Sequence, residues 1–106
     1  MDNRTIVWHE VAIRRLQSIH EYIAQDSKAN AKKVVIKIKD LVNTLNVFPE
    51  KYSKVQEIDS NLGNFRSVPI YSYRIIYEIT DSSIIILDIF HTSQNPEKIN
   101  DIVIPN

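Results

Sequence analysis

The chain has 106 residues, one Gly, four Pro and no Cys, and its Lys/Arg and Asp/Glu counts cancel to a formal net charge of zero. That length fits one domain, residues 1–106, with one modest core, and the absence of Cys excludes disulfides and thiolate metal sites. The longest wholly apolar run is the four residues Ile84 to Leu87, far short of the roughly 20 of a membrane helix, and the charged start MDNRTIVWHE lacks a signal peptide's apolar region, so the expectation is a cytoplasmic protein with no membrane contact.

In chain order, RTIVW (4–8) reads as a first strand. Beyond His9 the period changes: Ala12, Leu16, Ile19 and Ile23 fall on one helix face, with Arg14, Gln17, Ser18 and Glu21 away from it. QDSKAN breaks the pattern, with Asp26 or Ser27 as N-cap of a second helix. In that helix Val34, Ile38, Leu41 and Leu45 repeat the spacing, Val35 and Val42 widen the stripe, and the helix must end before Pro49. Its lysines belong to a basic first half. Residues 1–54 carry ten Lys/Arg and six Asp/Glu, net +4, against three and seven in 55–106, net −4. Such a face could meet phosphates or an acidic partner; interspersed lysines also simply keep a helix soluble.

After FPEKYSK the signal becomes β. VQEI (55–58) reads as a short strand and NLGNF as a turn around the only glycine. FRSVPIYS and YRIIYEIT are strands rich in β-branched and aromatic residues. Pro69 cannot donate to a ladder and marks its strand as an edge or as bulged. TDSS (80–83) is a hairpin turn, and SIIILDIF is the most apolar strand. Strict alternation places Tyr73, Ile75, Tyr77 and Ile79 on one face, and His91 with Ile85, Leu87 and Ile89. The expected fold is α+β, β-α-α-β-β-β with room for one more strand: an antiparallel sheet with an N-terminal helical hairpin packed on one face. The tail NDIVIPN could add an edge strand or pack over the sheet.

One glycine rules out a Gly-rich phosphate loop and a glycine-flanked serine elbow. His9, His20 and His91 have no metal partner at helical or hairpin spacing, so neither metal nor cofactor is expected. NRT (3–5) matches a glycosylation acceptor without a secretory context. What remains is a set of polar groups on or beside strands: Glu57, Arg66, Arg74, Tyr77, Glu78 and His91. Cleaving RNA through its own 2′-hydroxyl needs a base, an acid and cations for the crowded phosphate, with no metal. Arginine suits the phosphate and histidine the proton, and neighbouring antiparallel strands could bring Arg66, Arg74 and His91 together across one sheet face. Each residue also has a structural role open to it. Arg74 and Glu78 flank Ile76 and could pair on the surface, Tyr73 and Tyr77 share the parity of core residues, and His91 could simply end a buried strand.

IVWHEVAIRRLQSIHEYIAQDSKANA and NLGNFRSVPIYSYRIIYEITDSSIIILDIFHTSQNP resemble the RelE/ParE superfamily of bacterial type II toxin–antitoxin toxins. The likeness covers nearly the whole chain, with the pieces in the family's order. It implies a β-α-α-β-β-β toxin held inactive by a cognate antitoxin, which wraps it through a segment that folds on binding. Contact with operator DNA would run only through that antitoxin. The target divides the superfamily: RelE-like members cleave mRNA on the ribosome, whereas ParE-like members act on DNA gyrase. In the endoribonuclease reading the resemblance makes Arg74 a phosphate-binding residue and places His91 where several nucleases carry a catalytic residue; Arg66 joins them, and Glu57 is the candidate base. Yet Gln56 stands where the nuclease branch has its acid, with Glu57 one position along. Thr92 follows His91 where that branch has an aromatic, and the chain lacks the basic charge of a ribosome-directed protein. These departures favour the ParE-like, plasmid-stabilisation branch, with a RelE-like endoribonuclease or a degenerate toxin that keeps only antitoxin binding as the alternatives.

Overall fold

The computed structural model describes residues 4–102, and the side chains of all of these but Asn100 and Ile102. The start of NRT and the last four residues of the tail lie outside that range. The chain runs β1 (Thr5–Trp8), α1 (Glu10–Ala24), α2 (Lys28–Asn43), β2 (Asn64–Ile70), β3 (Tyr73–Ile79) and β4 (Ser83–His91), with short 3-10 turns at Pro49–Lys51, Ser60–Leu62 and Pro96–Ile102. This is the expected α+β order.

Both helices start on side-chain caps. His9 Nδ1 accepts from the Val11 N–H at 3.1 Å, and Ser27 Oγ accepts from the Asn30 N–H at 3.1 Å, so each satisfies a backbone donor the helix itself cannot. Their apolar stripes are buried where the spacing placed them: Ala12, Leu16 and Ile19 on α1, Val34, Ile38 and Val42 on α2. Together with Val68, Ile75, Tyr77, Ile79, Ile84, Ile86 and Ile89 from the sheet they form the main core.

The sheet order is β1-β4-β3-β2. The β2-β3-β4 meander is antiparallel and makes β2, with Pro69, an edge strand. The sheet is nevertheless mixed, because β1 runs parallel to β4, from Thr5 opposite Ser83 to Trp8 opposite Ile86. The helical hairpin carries the chain from one sheet edge to the other, and the meander then returns β4 to lie beside β1 in the same direction. β4 is therefore central and buried on both faces, which accounts for its unbroken apolar run.

Two local expectations fail for one-residue reasons. Residues 55–58 form a turn, and only an isolated bridge joins Lys54 to Arg66. Val55 and Ile58 are both buried in a second cluster. Spaced three apart, they share a side in a tight turn but would face opposite ways in a strand. Further on, the β3–β4 register jumps between Ile76, opposite Asp88, and Tyr77, opposite Ile86. Leu87 is thus an extra residue, and a bulge of this kind reverses the alternation beyond it. His91 consequently shares a face with Ile89 and, across the bulge, with Ile84 and Ile86, not with Ile85 and Leu87.

The face away from the helices is covered as well. Phe65, Ile76 and Phe90 from the sheet pack with Val55, Ile58 and Ile99, a cluster formed by the 44–63 connection and the final 3-10 turn. Gly63 enters β2 at φ 155°, and an added Cβ would lie 2.7 Å from Phe65 Cε2 and 3.0 Å from Glu78 Oε2. Gly63→Ala should therefore cost about 1–3 kcal/mol, read as a lower urea midpoint at unchanged slope.

Glu78 lies on this same face, half-buried, and burial raises its carboxyl pKa. A carboxylate raised on folding contributes stability below its unfolded pKa and loses it as pH climbs through the folded value. Glu78→Gln should therefore raise the melting temperature at neutral pH, and the gain should shrink toward about pH 4.

Candidate functional site

The candidate residues are distributed over both faces of the sheet. Arg74 lies opposite Phe90 on one side and Pro69 on the other, on the face that carries the smaller core. Its Nη1 donates to Glu57 Oε2 at 3.3 Å, and its Nη2 reaches Glu57 Oε1 at 3.5 Å and Ser67 Oγ at 3.1 Å. Arg74 is thus paired with Glu57 from the 55–58 turn, not with Glu78 on its own strand. Both side chains of the pair are about a quarter exposed, 26% and 27%, so the pair ties the turn to the sheet under partial solvent screening.

Arg66 is on the opposite face, across from Tyr77, and its side chain is 12% exposed. Nε donates to Asn64 Oδ1 at 3.0 Å, and Nη1 donates to the carbonyls of Glu50 and Tyr52, both at 2.8 Å. Nη2 lies 3.6 Å from Glu50 Oε2. Beneath the same loop the buried Tyr77 hydroxyl donates to the Pro49 carbonyl at 2.6 Å. Burial drives that phenol far above its ordinary range, against a smaller lowering by Arg66, so Tyr77 is a fixed neutral donor. The two side chains hold three successive points of the loop, at Pro49, Glu50 and Tyr52.

His91 ends β4, and its ring meets Tyr73 edge-on, with centroids 5.2 Å apart and planes at 85°. Its Nδ1 accepts from the Ser93 N–H at 3.0 Å and lies 2.6 Å from Ser93 Oγ, which leaves the proton of the neutral ring on Nε2. Burial, reinforced by Tyr22, raises the Tyr73 phenol. Because β3 pairs Tyr73 with His91 and Arg74 with Phe90, His91 and Arg74 face opposite ways. Arg66 shares the face of His91 but lies level with Tyr77, four residues along β3, roughly 13 Å at about 3.3 Å per residue. The structure therefore does not bring Arg66, Arg74 and His91 together on one sheet face.

Other features escaped the sequence reading. Asp88, 5% exposed, accepts from the Ile89 N–H at 2.7 Å and from Arg15 Nε at 3.1 Å. The His91 N–H donates to Gln94 Oε1 at 3.0 Å. Both donors lie on the edge of β4 that β1 leaves open beyond Ile86, and side chains close it there. The one signal in the sequence is an Asp inside an otherwise apolar strand. A groove of about 630 Å³ runs beside the β1 end of the sheet, lined by Trp8, Ile13, Leu16, His20, Val35 and Lys39 among others. Among the described residues no cluster of His, Asp or Glu could hold a metal ion, and no helix is long and apolar enough to cross a membrane.

A family model, the ParE toxin of the type II toxin–antitoxin system parDE, matches residues 6–96. The chain belongs to the ParE toxin family. The match covers both helices and, but for Thr5 of β1, every strand, and it favours a ParE-type toxin over the RelE-like endoribonuclease. A solved chain from the chromosomal ParDE TA system from P. aeruginosa shares the fold, with a TM-score of 0.72 over 86% of this chain and 98% of that one, at 19% identity. No curated protein matches by sequence. This ParE-type chain is the toxin component of a type II module, and its partner is a cognate antitoxin.

The Tyr77 bond is the most exposed to test of the ties found in this ParE-type toxin. Tyr77→Phe keeps the ring and strands the buried Pro49 carbonyl, so unfolding free energy should fall by about 1–3 kcal/mol. The check is chemical denaturation, with a parallel rise in amide exchange expected around residues 48–52.

Proposed function

We propose that this toxin acts by binding DNA gyrase, and that it does not cleave RNA. What supports a binding mechanism is the engagement of the candidate cations within the fold. A nuclease without a metal must aim its arginines at one phosphate, beside a base and an acid. Arg66 instead spends its donors on two loop carbonyls and Asn64, and Arg74 is held by Glu57 and Ser67 on the other face. Releasing either would expose loop carbonyls or an unpaired carboxylate. Glu57, the candidate base, is thereby occupied as the partner of Arg74. The formal net charge of zero adds no general attraction for a phosphate-rich target. In this reading Arg66, Arg74 and Glu57 are structural ties, and His91 ends its strand in a contact with Tyr73. The choice of gyrase as target follows the ParE branch to which the chain belongs.

The test is inducible expression with radiolabelled precursors, together with purified toxin in a supercoiling assay. Double-strand breaks, an SOS response and blocked supercoiling are expected, with His91→Ala as toxic as the wild type. Protein synthesis stopping first, with mRNA cut on the ribosome, would overturn the proposal. So would a His91→Ala chain that loses toxicity while still folding and binding antitoxin.

A further inference from the structure

Among the described residues, two bulky ones sit in the left-handed backbone region, Phe48 at φ 51° and Tyr71 at φ 52°, where glycine or asparagine is the undemanding choice. Among the described residues Phe48 is also the most exposed of the large apolar side chains, at 78%, and its neighbour Val47 is 56% exposed. The chain thus holds a large ring in water on a backbone that disfavours it, at a position where Gly would relieve both costs. Strain of this kind persists only where the surroundings over-determine it. Here they do: from Pro49 onward the loop is held by Tyr77 and Arg66 at Pro49, Glu50 and Tyr52. Val47 and Phe48 stand at the crest of that loop, on a support that loses little freedom when they are buried by a partner.

We infer that the Val47–Phe48 knuckle is the anchor by which the toxin engages its folded protein target. This rests on the reading that the toxin acts by binding. Shape and position select the target over the antitoxin as occupant. A segment that folds on binding is itself a convex ribbon and needs a concave bed. The groove beside Trp8, Ile13 and Leu16 has that form, at the β1 edge of the sheet. The knuckle is convex and sits above β2, at the opposite edge. A protruding ring on a rigid base fits a pocket in an already folded protein, where aromatic anchors concentrate binding energy. Tyr77 and Arg66 are then positioning residues for the anchor.

Phe48→Gly gives a sharp test because it removes the ring and relieves the backbone together. The full-length variant should unfold at the wild-type temperature or above and bind the cognate antitoxin within about two-fold of wild type. It should need at least about ten-fold more protein for half-inhibition of gyrase supercoiling, and it should no longer arrest growth when induced. Val47→Ser should move the inhibition in the same direction. A Phe48→Gly chain that arrests growth like the wild type overturns the anchor, as does a parallel loss of antitoxin affinity. A wild-type chain that arrests growth without inhibiting gyrase overturns only the choice of target, and the anchor is then judged by whether Phe48→Gly lifts the arrest. A wild-type chain that arrests nothing overturns both.

Discussion

The central strands β3 and β4 have to be buried on both faces, yet the chain supplies helices for only one. Ile75, Tyr77, Ile84 and Ile86 meet α1 and α2, while Ile76 and Phe90 look the other way. With 106 residues, the second face must be covered by the irregular connection between α2 and β2 and by the last 3-10 turn. Irregular backbone has no ladder to hold it, so it is fastened by side chains reaching out from the sheet. Tyr77 and Arg66 fasten its first part on the helix face, Lys54 bridges the edge strand β2, the Arg74–Glu57 pair fastens the part that lies over the second face, and Val55, Ile58 and Ile99 supply the apolar contact there. Most of what is particular to this toxin follows from that arrangement.

The same arrangement constrains chemistry. A guanidinium offers five N–H groups in a rigid fork, and one that already serves two loop carbonyls and a side-chain amide has little left for a phosphate. Arg66 and Arg74, residues of a type suited to RNA cleavage, both have donors engaged within the fold. An arginine position that matches a nuclease motif therefore says little about catalysis until its donors are accounted for. The alternation of β3 adds a second obstacle, since adjacent positions 73 and 74 send their cross-strand partners, His91 and Phe90, to opposite faces.

The legible parts of the fold were those that depend on period alone. The helix stripes, the edge strand around Pro69 and the tight 80–83 turn each follow from local pattern and local chemistry. The parts that were not legible depend on one inserted residue or on long-range pairing. Nothing near Leu87 announces a bulge, because an Ile/Leu run looks the same in either register. The parallel partnership of β1 with β4 joins residues nearly eighty positions apart and is decided by which edge the returning meander reaches. VQEI carries strand-forming residues, but its apolar pair is spaced for a turn. For the candidate site, residue types and approximate positions were readable. The faces they occupy and the partners that hold them were not, since both depend on the bulge and on the path of an irregular loop.

This division of labour also separates the toxin's two recognition problems in space. An antitoxin must be bound tightly enough to silence the toxin, and extended or helical segments achieve that by filling concave apolar surface, which the molecule offers at the β1 edge. A target must be engaged by a toxin that is free in solution, where an exposed rigid anchor avoids the ordering cost of a flexible one. The α2–β2 connection meets that requirement at the β2 edge, because the bonds that hold its first part on the helix face also fix the backbone that follows Phe48. Anchoring the start of that connection and presenting a ring are then two effects of the same bonds from Tyr77 and Arg66. Loosening those bonds would be felt first in the ordering of residues 47–52, and then in the helix-packed core, in which Tyr77 is buried and against which Tyr52 packs.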